Sequence, residues 1–100
     1  MIVLSQKVDD AIVLGGTLVV VVTAVTPQTV SLSAWGTLEH AYGLISRVAR
    51  LARDESVQLA DQVIVSIVDI REEKVRLGLV APREVSVNRW EVGRDGHREP

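Results

Sequence analysis

Near the end of the chain, "VRLGLVAPREVSVNRWEV" (Val75 to Val92) sets charged and polar side chains among valines. Arg76, Arg83 and Arg89 carry planar guanidinium groups, which suit phosphate oxygens and guanine edges better than lysine does. Asn88 can both donate and accept a hydrogen bond. Trp90 reads either as an exposed stacking surface, worth about 1–3 kcal/mol where a base stacks on it, or as packing against a partner copy. This is chemistry for holding a ligand, not for breaking a bond. The plainer reading of Arg89 is a surface ion pair with Glu84 or Glu91, which is worth little. A second basic series, Arg47, Arg50 and Arg53, reads as a solvated helix face or as a set of additional phosphate contacts. A protein near neutral overall needs such a local patch to attract a polyanion.

Catalysis finds no support in the residue types. The imidazoles are His40 and His97. His40 adjoins Glu39, and adjacent residues on a helix do not share a face, so they make no metal pair. There is no Ser-His-Asp set, no glycine-rich phosphate loop and no carboxylate pair with a partner; Asp9-Asp10 reads as a turn. With no cysteine, disulfides and thiolate metal sites are excluded. No catalytic residue, metal or cofactor is expected.

The elements that must position these side chains follow from composition and pattern. A chain of 100 residues is one domain by default. Hydrophobic residues make up 47%, 19 of them valine, and there is no phenylalanine. Valine is stiff at χ1 and packs well on pleated surfaces, so this core argues for sheet. The net charge of −2 lacks the basic excess that marks many nucleic-acid binders, although a local basic patch can coexist with an acidic remainder. The start does not read as a signal peptide, and the apolar run Leu18–Val25 is too short to span a bilayer. A cytoplasmic protein with no membrane partner is expected.

Strands are expected at Met1–Lys7, Ala11–Leu14, Leu18–Val25 (buried on both faces), Thr29–Ser33, Gln62–Ile70, Lys74–Leu79 and Glu84–Asn88. Gly15-Gly16, Pro27-Gln28 and Arg71-Glu72-Glu73 read as turns, and Ala81-Pro82 as a break. Between the hairpins, Leu38, Tyr42, Ile45, Val48 or Ala49, and Ala52 fall on one helical stripe. The expected fold is therefore mainly β (α+β): an antiparallel sheet with one α-helix inserted over about residues 36–60. Trp35 packs at the strand-to-helix junction. Residues 93–100 lack apolar side chains and are expected to be a disordered tail. Gly15–Ser33 also aligns without gaps on Ala60–Gly78, which reads either as one hairpin repeated or as two unrelated valine-rich hairpins.

The two ends of the chain, "MIVLSQKVDDAIVLGG" and "VRLGLVAPREVSVNRWEV", resemble those of the carbon storage regulator family (CsrA/RsmA type), small bacterial RNA-binding regulators of translation. The matching positions are Leu4, Lys7, Gly15, Val75, Arg76, Gly78, Ala81, Pro82, Val85, Val87 and Arg89. The alignment treats residues 17–60 as an insertion, or runs the first hairpin continuously to Ala34 and adds the rest. The resemblance implies an intertwined homodimer of five-stranded chains, the first strand of one protomer lying beside the last strand of the other. It also implies a single-stranded GGA ligand in a hairpin loop of an mRNA leader, where base edges are free. Binding there represses translation or alters mRNA stability.

By the same resemblance, Leu4 is an apolar RNA contact and Arg89 the key arginine, and Val85 and Val87 flank the loop bases. Lys7, Arg76 and Arg83 stand at or beside its basic positions. Gln6 replaces an arginine, Asn88 a histidine and Trp90 an acidic residue. Arg47, Arg50 and Arg53 are the candidates to supply the phosphate binding that an arginine at position 6 would give. A protein antagonist is left open as a further partner. Two alternatives stand beside this reading. One is a divergent dimerisation or protein-interaction module without RNA binding, favoured by Gln6 and the acidic balance. The other is a monomer in which the repeated hairpin replaces the partner's strands.

Overall fold

The computed structural model describes residues 1–39, 41 and 43–90. Among them the chain forms nine strands: β1 (Ile2–Gln6), β2 (Ala11–Leu14), β3 (Leu18–Val25), β4 (Thr29–Gly36), β5 (Ile45–Ala52), β6 (Ser56–Ala60), β7 (Val63–Arg71), β8 (Lys74–Val80) and β9 (Val87–Trp90). They make two sheets, of order β1-β8-β7-β6 and β5-β4-β3-β2-β9, with every pairing antiparallel. The sheets face each other across one core. Ile12, Leu14, Leu18 and Val20 enter it from one side, and Val65, Ile67, Val75 and Leu77 from the other. Each such side chain, fully removed from water, contributes about 1.5–3 kcal/mol.

The two sheets are built by two copies of one unit. Adding 45 to residues 2–6, 11–14, 18–25 and 29–36 gives 47–51, 56–59, 63–70 and 74–81, which fall on β5, β6, β7 and β8 to within two residues. The offset is that of the Gly15/Ala60 alignment. It also relates the irregularities. The β3–β4 ladder slips between Val22 and Ala24, and the β7–β8 ladder between Ile67 and Asp69. Asp9 and Asp54 both hold positive φ, 76° and 71°, a left-handed conformation that aspartate tolerates better than most residues. Asp9 N–H donates to Val22 O at 2.8 Å, and Asp54 N–H to Ile67 O at 2.7 Å. Core positions keep their type, as in Leu14/Leu59, Val20/Val65, Val30/Val75 and Leu32/Leu77.

The copies exchange their first strands. β1 pairs with β8 of the second copy, Ile2 opposite Leu79, and β5 pairs with β4 of the first, Arg47 opposite Ala34. The last strand, β9, lies on β2 and has no counterpart among the described residues of the first copy. One sheet therefore has five strands and the other four.

No helix is present among the described residues, which corrects the expected insertion at 36–60 and the α+β class that rested on it. Residues 45–52 and 56–60 are strands instead. The helical stripe is a coincidence of spacing. Val48, on that stripe, is 81% exposed, whereas Ile45 and Leu51 are buried and Ala49 is half-buried against the core, in the alternation of a strand that packs one face inward. Alanine, leucine and arginine favour helix, but pairing with β4 along the whole length of β5 overrides that preference. Two smaller corrections follow from the same alternation. Val19 and Val21 are half-buried, so β3 is not buried on both faces. The last strand runs Val87–Trp90 rather than 84–88. The tail at 93–100 lies outside the described residues. Each sheet takes its strands from both copies within this one chain, β1 pairing with β8 and β5 with β4.

Candidate nucleic-acid interface

At one end of the sandwich, β1 is the outer strand of the four-stranded sheet and β9 the outer strand of the five-stranded one. Two short crossings tie these edges together. Residues 7–10 carry the chain from β1 to β2, the neighbour of β9. There Lys7 N–H donates to Asp10 Oδ2 at 2.9 Å and Asp10 N–H to Lys7 O at 3.0 Å. Residues 81–86 carry it from β8, the neighbour of β1, to β9. Pro82, lacking an N–H, ends the β8 ladder, and its carbonyl accepts from Val85 N–H at 3.0 Å. Gly15 N–H then donates to Ser86 O at 2.8 Å, at the entry to β9. Gly15 holds φ at 61°, and a Cβ added there would meet Leu38 at 3.1 Å.

Register sorts the β9 side chains between two faces. Val87 and Arg89 stand opposite Leu14 and Ile12, and Asn88 and Trp90 opposite Val13 and Ala11. Leu14 and Ile12 are core residues, so Arg89 shares the inward face of its strand. It stays exposed because β9 is an edge. Arg89 thus faces the seam between the sheets, on the β1 side. Trp90, 57% exposed, and Asn88 turn to the outer face. Val85 and Val87 are half-buried and pack on the core, while Arg83 is exposed at the turn.

On β1 the inward phase is Ile2, Leu4 and Gln6, opposite Leu79, Leu77 and Val75. Leu4 is half-buried against the core. Gln6 is 1% exposed, and neither its Nε2 nor its Oε1 has a hydrogen-bond partner among the described residues. The side chain standing where the resemblance has a basic contact lies inside the protein. Its counterpart in the second copy is Leu51, buried and apolar. On the outer face Ser5 stands opposite Arg76, over a hollow of about 370 Å³ that Arg71 and Lys74 also line, together with Asp69 and Glu72. Residue type alone marks Arg71 and Lys74 only as turn and strand-end residues. Their return beside β1 through the β7–β8 hairpin is what brings them to this face. Lys7 is exposed at the end of β1.

The arginines of β5 lie elsewhere, whereas Arg53, in the turn after it, reaches β7 at Asp69, one of the residues lining the hollow beside Ser5. β5 and β9 are opposite edges of their sheet, four strand spacings apart, or about 19 Å. Arg47 Nη1 donates to Gln58 O at 2.9 Å. Arg53 pairs with Asp69 at 3.3 Å and donates to Ile70 O at 3.0 Å. Arg50 is exposed, opposite Ser31. The 45-residue relation turns the Ser5–Arg76 pair into Arg50–Ser31, so each outer face keeps one arginine in an equivalent cross-strand pair. Trp35 belongs to the outer face of the five-stranded sheet, 48% exposed and paired with Val19 and Ser46. It is not a helix junction. Among the described residues no cluster of three or more His, Cys, Asp or Glu side chains could hold a metal ion. No helix among them is long and apolar enough to cross a membrane.

Residues 50–97 match the family model of CsrA, the global regulator protein family. The translational regulator CsrA of Rhodopirellula baltica is 48% identical over 40 residues, covering 40% of this chain and 57% of that protein. That of Desulforapulum autotrophicum is 40% identical over 45 residues, 45% of this chain and 56% of the relative. That of Leptospira biflexa is 37% identical over 46 residues, 46% and 58% respectively. The chain thus spans a little over half the length of the curated relatives it matches. No solved structure matches it at a significant level.

Proposed function

With residues 50–97 matching the CsrA family model, we propose that this chain is an RNA-binding post-transcriptional regulator whose site is assembled in cis between β1 and β9. The relatives bear the name translational regulator. The observation that carries the reading is the placement of Arg89 on the inward face of the β9 edge, beside the end of the sandwich where β1 lies. A guanidinium there can pair bidentately with phosphate or with a guanine edge. Leu4 and Val87 supply the apolar floor. Trp90 and Asn88 supply stacking and polar contacts from the outer side of β9, and Arg76, Lys74 and Lys7 draw the phosphate backbone toward β1. The ligand is a single-stranded GGA element in a hairpin loop, whose occupation keeps the ribosome off the message or changes its lifetime. Because the described residues of the first copy give no equivalent of β9, the pseudo-symmetric end of the sandwich lacks such a site, and one chain holds one RNA. In a gel-shift titration a GGA hairpin binds well ahead of the same hairpin carrying CCA; equal binding of the two removes the reading.

The burial of Gln6 favours a second reading, a protein-interaction module on the same scaffold that does not bind RNA. It takes a polar group off the β1 surface in a chain of net charge −2. Absence of any shift with either hairpin, in a folded sample at low salt, selects it.

A further inference from the structure

Resting on the RNA-binding reading, we propose that the outer face of the five-stranded sheet extends the RNA site: unpaired nucleotides beside the GGA element cross this face and stack on Trp90 and then on Trp35. The chain has two tryptophans and no phenylalanine. Neither tryptophan enters the core. Both stand on this one face, Trp90 57% and Trp35 48% exposed.

Register places the two rings. Trp90 stands opposite Ala11 on β2, and Ala11 opposite Val21 on β3. Trp35, on β4, stands opposite Val19, in the neighbouring row of the same face. Three strand spacings separate β9 from β4, or about 14 Å. Val19 and Val21 lie between them, half-buried. Ala11 is 1% exposed yet stands outside the core cluster, so its cover comes from the outer face, where Trp90 and Val21 oppose it. An indole lying over its cross-strand neighbour keeps one ring face toward solvent. A flat apolar floor between two such rings suits bases of any sequence, because every base has a π-face. Aromatic side chains on an open sheet hold successive bases in other single-strand binders.

Charge selects the occupant. β2, β3, β4, β5 and β9 contain no aspartate or glutamate, in a chain that has 13. They do contain Arg47, Arg50 and Arg89. The facing sheet instead sets Asp69 beside Arg71 and Arg76. A sheet of one sign draws a polyanion even where the net charge of the chain is −2. A second copy laid on this face would bring like charge and no carboxylate to answer it. Continuity sets the path. Arg89 and Trp90 are successive residues of an edge strand, turned to opposite faces, so RNA held at Arg89 has only that edge to pass before it meets the indole. The other outer face offers no such pair, since the 45-residue relation puts Val80 in the place of Trp35.

Three hairpins test the extension by gel shift. One holds GGA in a tight loop; the others widen the loop by about six uridines on the 5′ or the 3′ side, within the roughly 4–16 nucleotides that OB-fold sites hold. One widened loop is expected to bind about tenfold more tightly than the tight loop, the effect of a single stacked base. Trp35→Ala should remove that gain and leave the tight loop bound as before, and Trp35→Phe should keep most of it. Circular dichroism verifies folding; if Trp35→Ala does not fold, Trp35→Thr, which suits an exposed strand, takes its place. No gain from either widened loop overturns the proposal and leaves the RNA-binding reading standing. So does a loss in Trp35→Ala shared equally by tight and widened loops. No shift with any of the hairpins removes that reading and the extension together. Self-association that rises with concentration and disappears in Trp35→Ala makes a second copy the occupant and overturns the extension equally.

Discussion

The two ends of the sandwich start from equivalent strands and finish differently. At one end β2 is covered by β9, and β1 stands at the same end of the facing sheet. At the other, β6 has no such cover among the described residues, and Arg47 reaches across from β5 to cap its backbone. The copies agree in core, in the Asp9/Asp54 turn and in the bulge of the long hairpin, but the β6–β7 ladder carries an extra register shift at Gln58/Ala60 that β2–β3 lacks. Among the described residues, the larger difference is one strand, present in the second copy and lacking in the first. An edge that keeps its strand can present an arginine in a defined place. An edge without one must cover its unpaired groups with charge and brevity, as natural sheets do.

The largest effect should come from breaking the core beneath the two ends. Leu14 is fully buried under β9, while the equivalent Leu59 is 8% exposed at the β6 edge. Leu14→Ala should cost about 2–5 kcal/mol in urea unfolding, and Leu59→Ala should fall at the low end of that range because an open edge relaxes more easily. Equal costs would mean that β9 adds nothing to its end. The ligand contrast is next. Arg89→Ala should cost about 1–3 kcal/mol of affinity for a GGA hairpin, with a smaller change in unfolding free energy. Arg50→Ala, at the other end, should leave affinity where it is. The smallest effect, and the one of opposite sign, concerns Gln6. A buried amide without partners is destabilising by about 1–3 kcal/mol, and the second copy solves the same position with Leu51. Gln6→Leu should raise the unfolding free energy by about 1–2 kcal/mol; a loss of stability would show that Gln6 has a partner.

Much of the frame is legible in the sequence, and the reasons are local. Ala11–Leu14 and Leu18–Val25 have the bounds their sequence implies, because Gly15-Gly16 and Pro27 punctuate runs of β-branched residues. The repeat is visible as a gapless 45-residue offset. The stretch from Thr37 to Ala60 misleads. Its Ala, Leu and Arg content and its apolar spacing imitate a helix, while the reason Ile45–Ala52 is a strand lies on β4, a partner that sequence periodicity does not see. The same blindness hides the fate of Gln6. Its type suggests a surface contact, but the phase of β1 against β8 turns it inward. Arg89, by contrast, stands out by residue type and flanking pattern, and the fold gives it an edge and a face. With strands in place of a helix, the first strand of the second copy is Ile45–Ala52, and the family match beginning at residue 50 starts inside it.

We propose that a single chain carries one RNA site, assembled from both copies. The most direct measurement is light scattering coupled to size exclusion on the chain with an equimolar GGA hairpin. The expected particle contains one chain and one RNA, and excess RNA adds no second. A particle of two chains and two RNAs, or one chain taking up two, would contradict it.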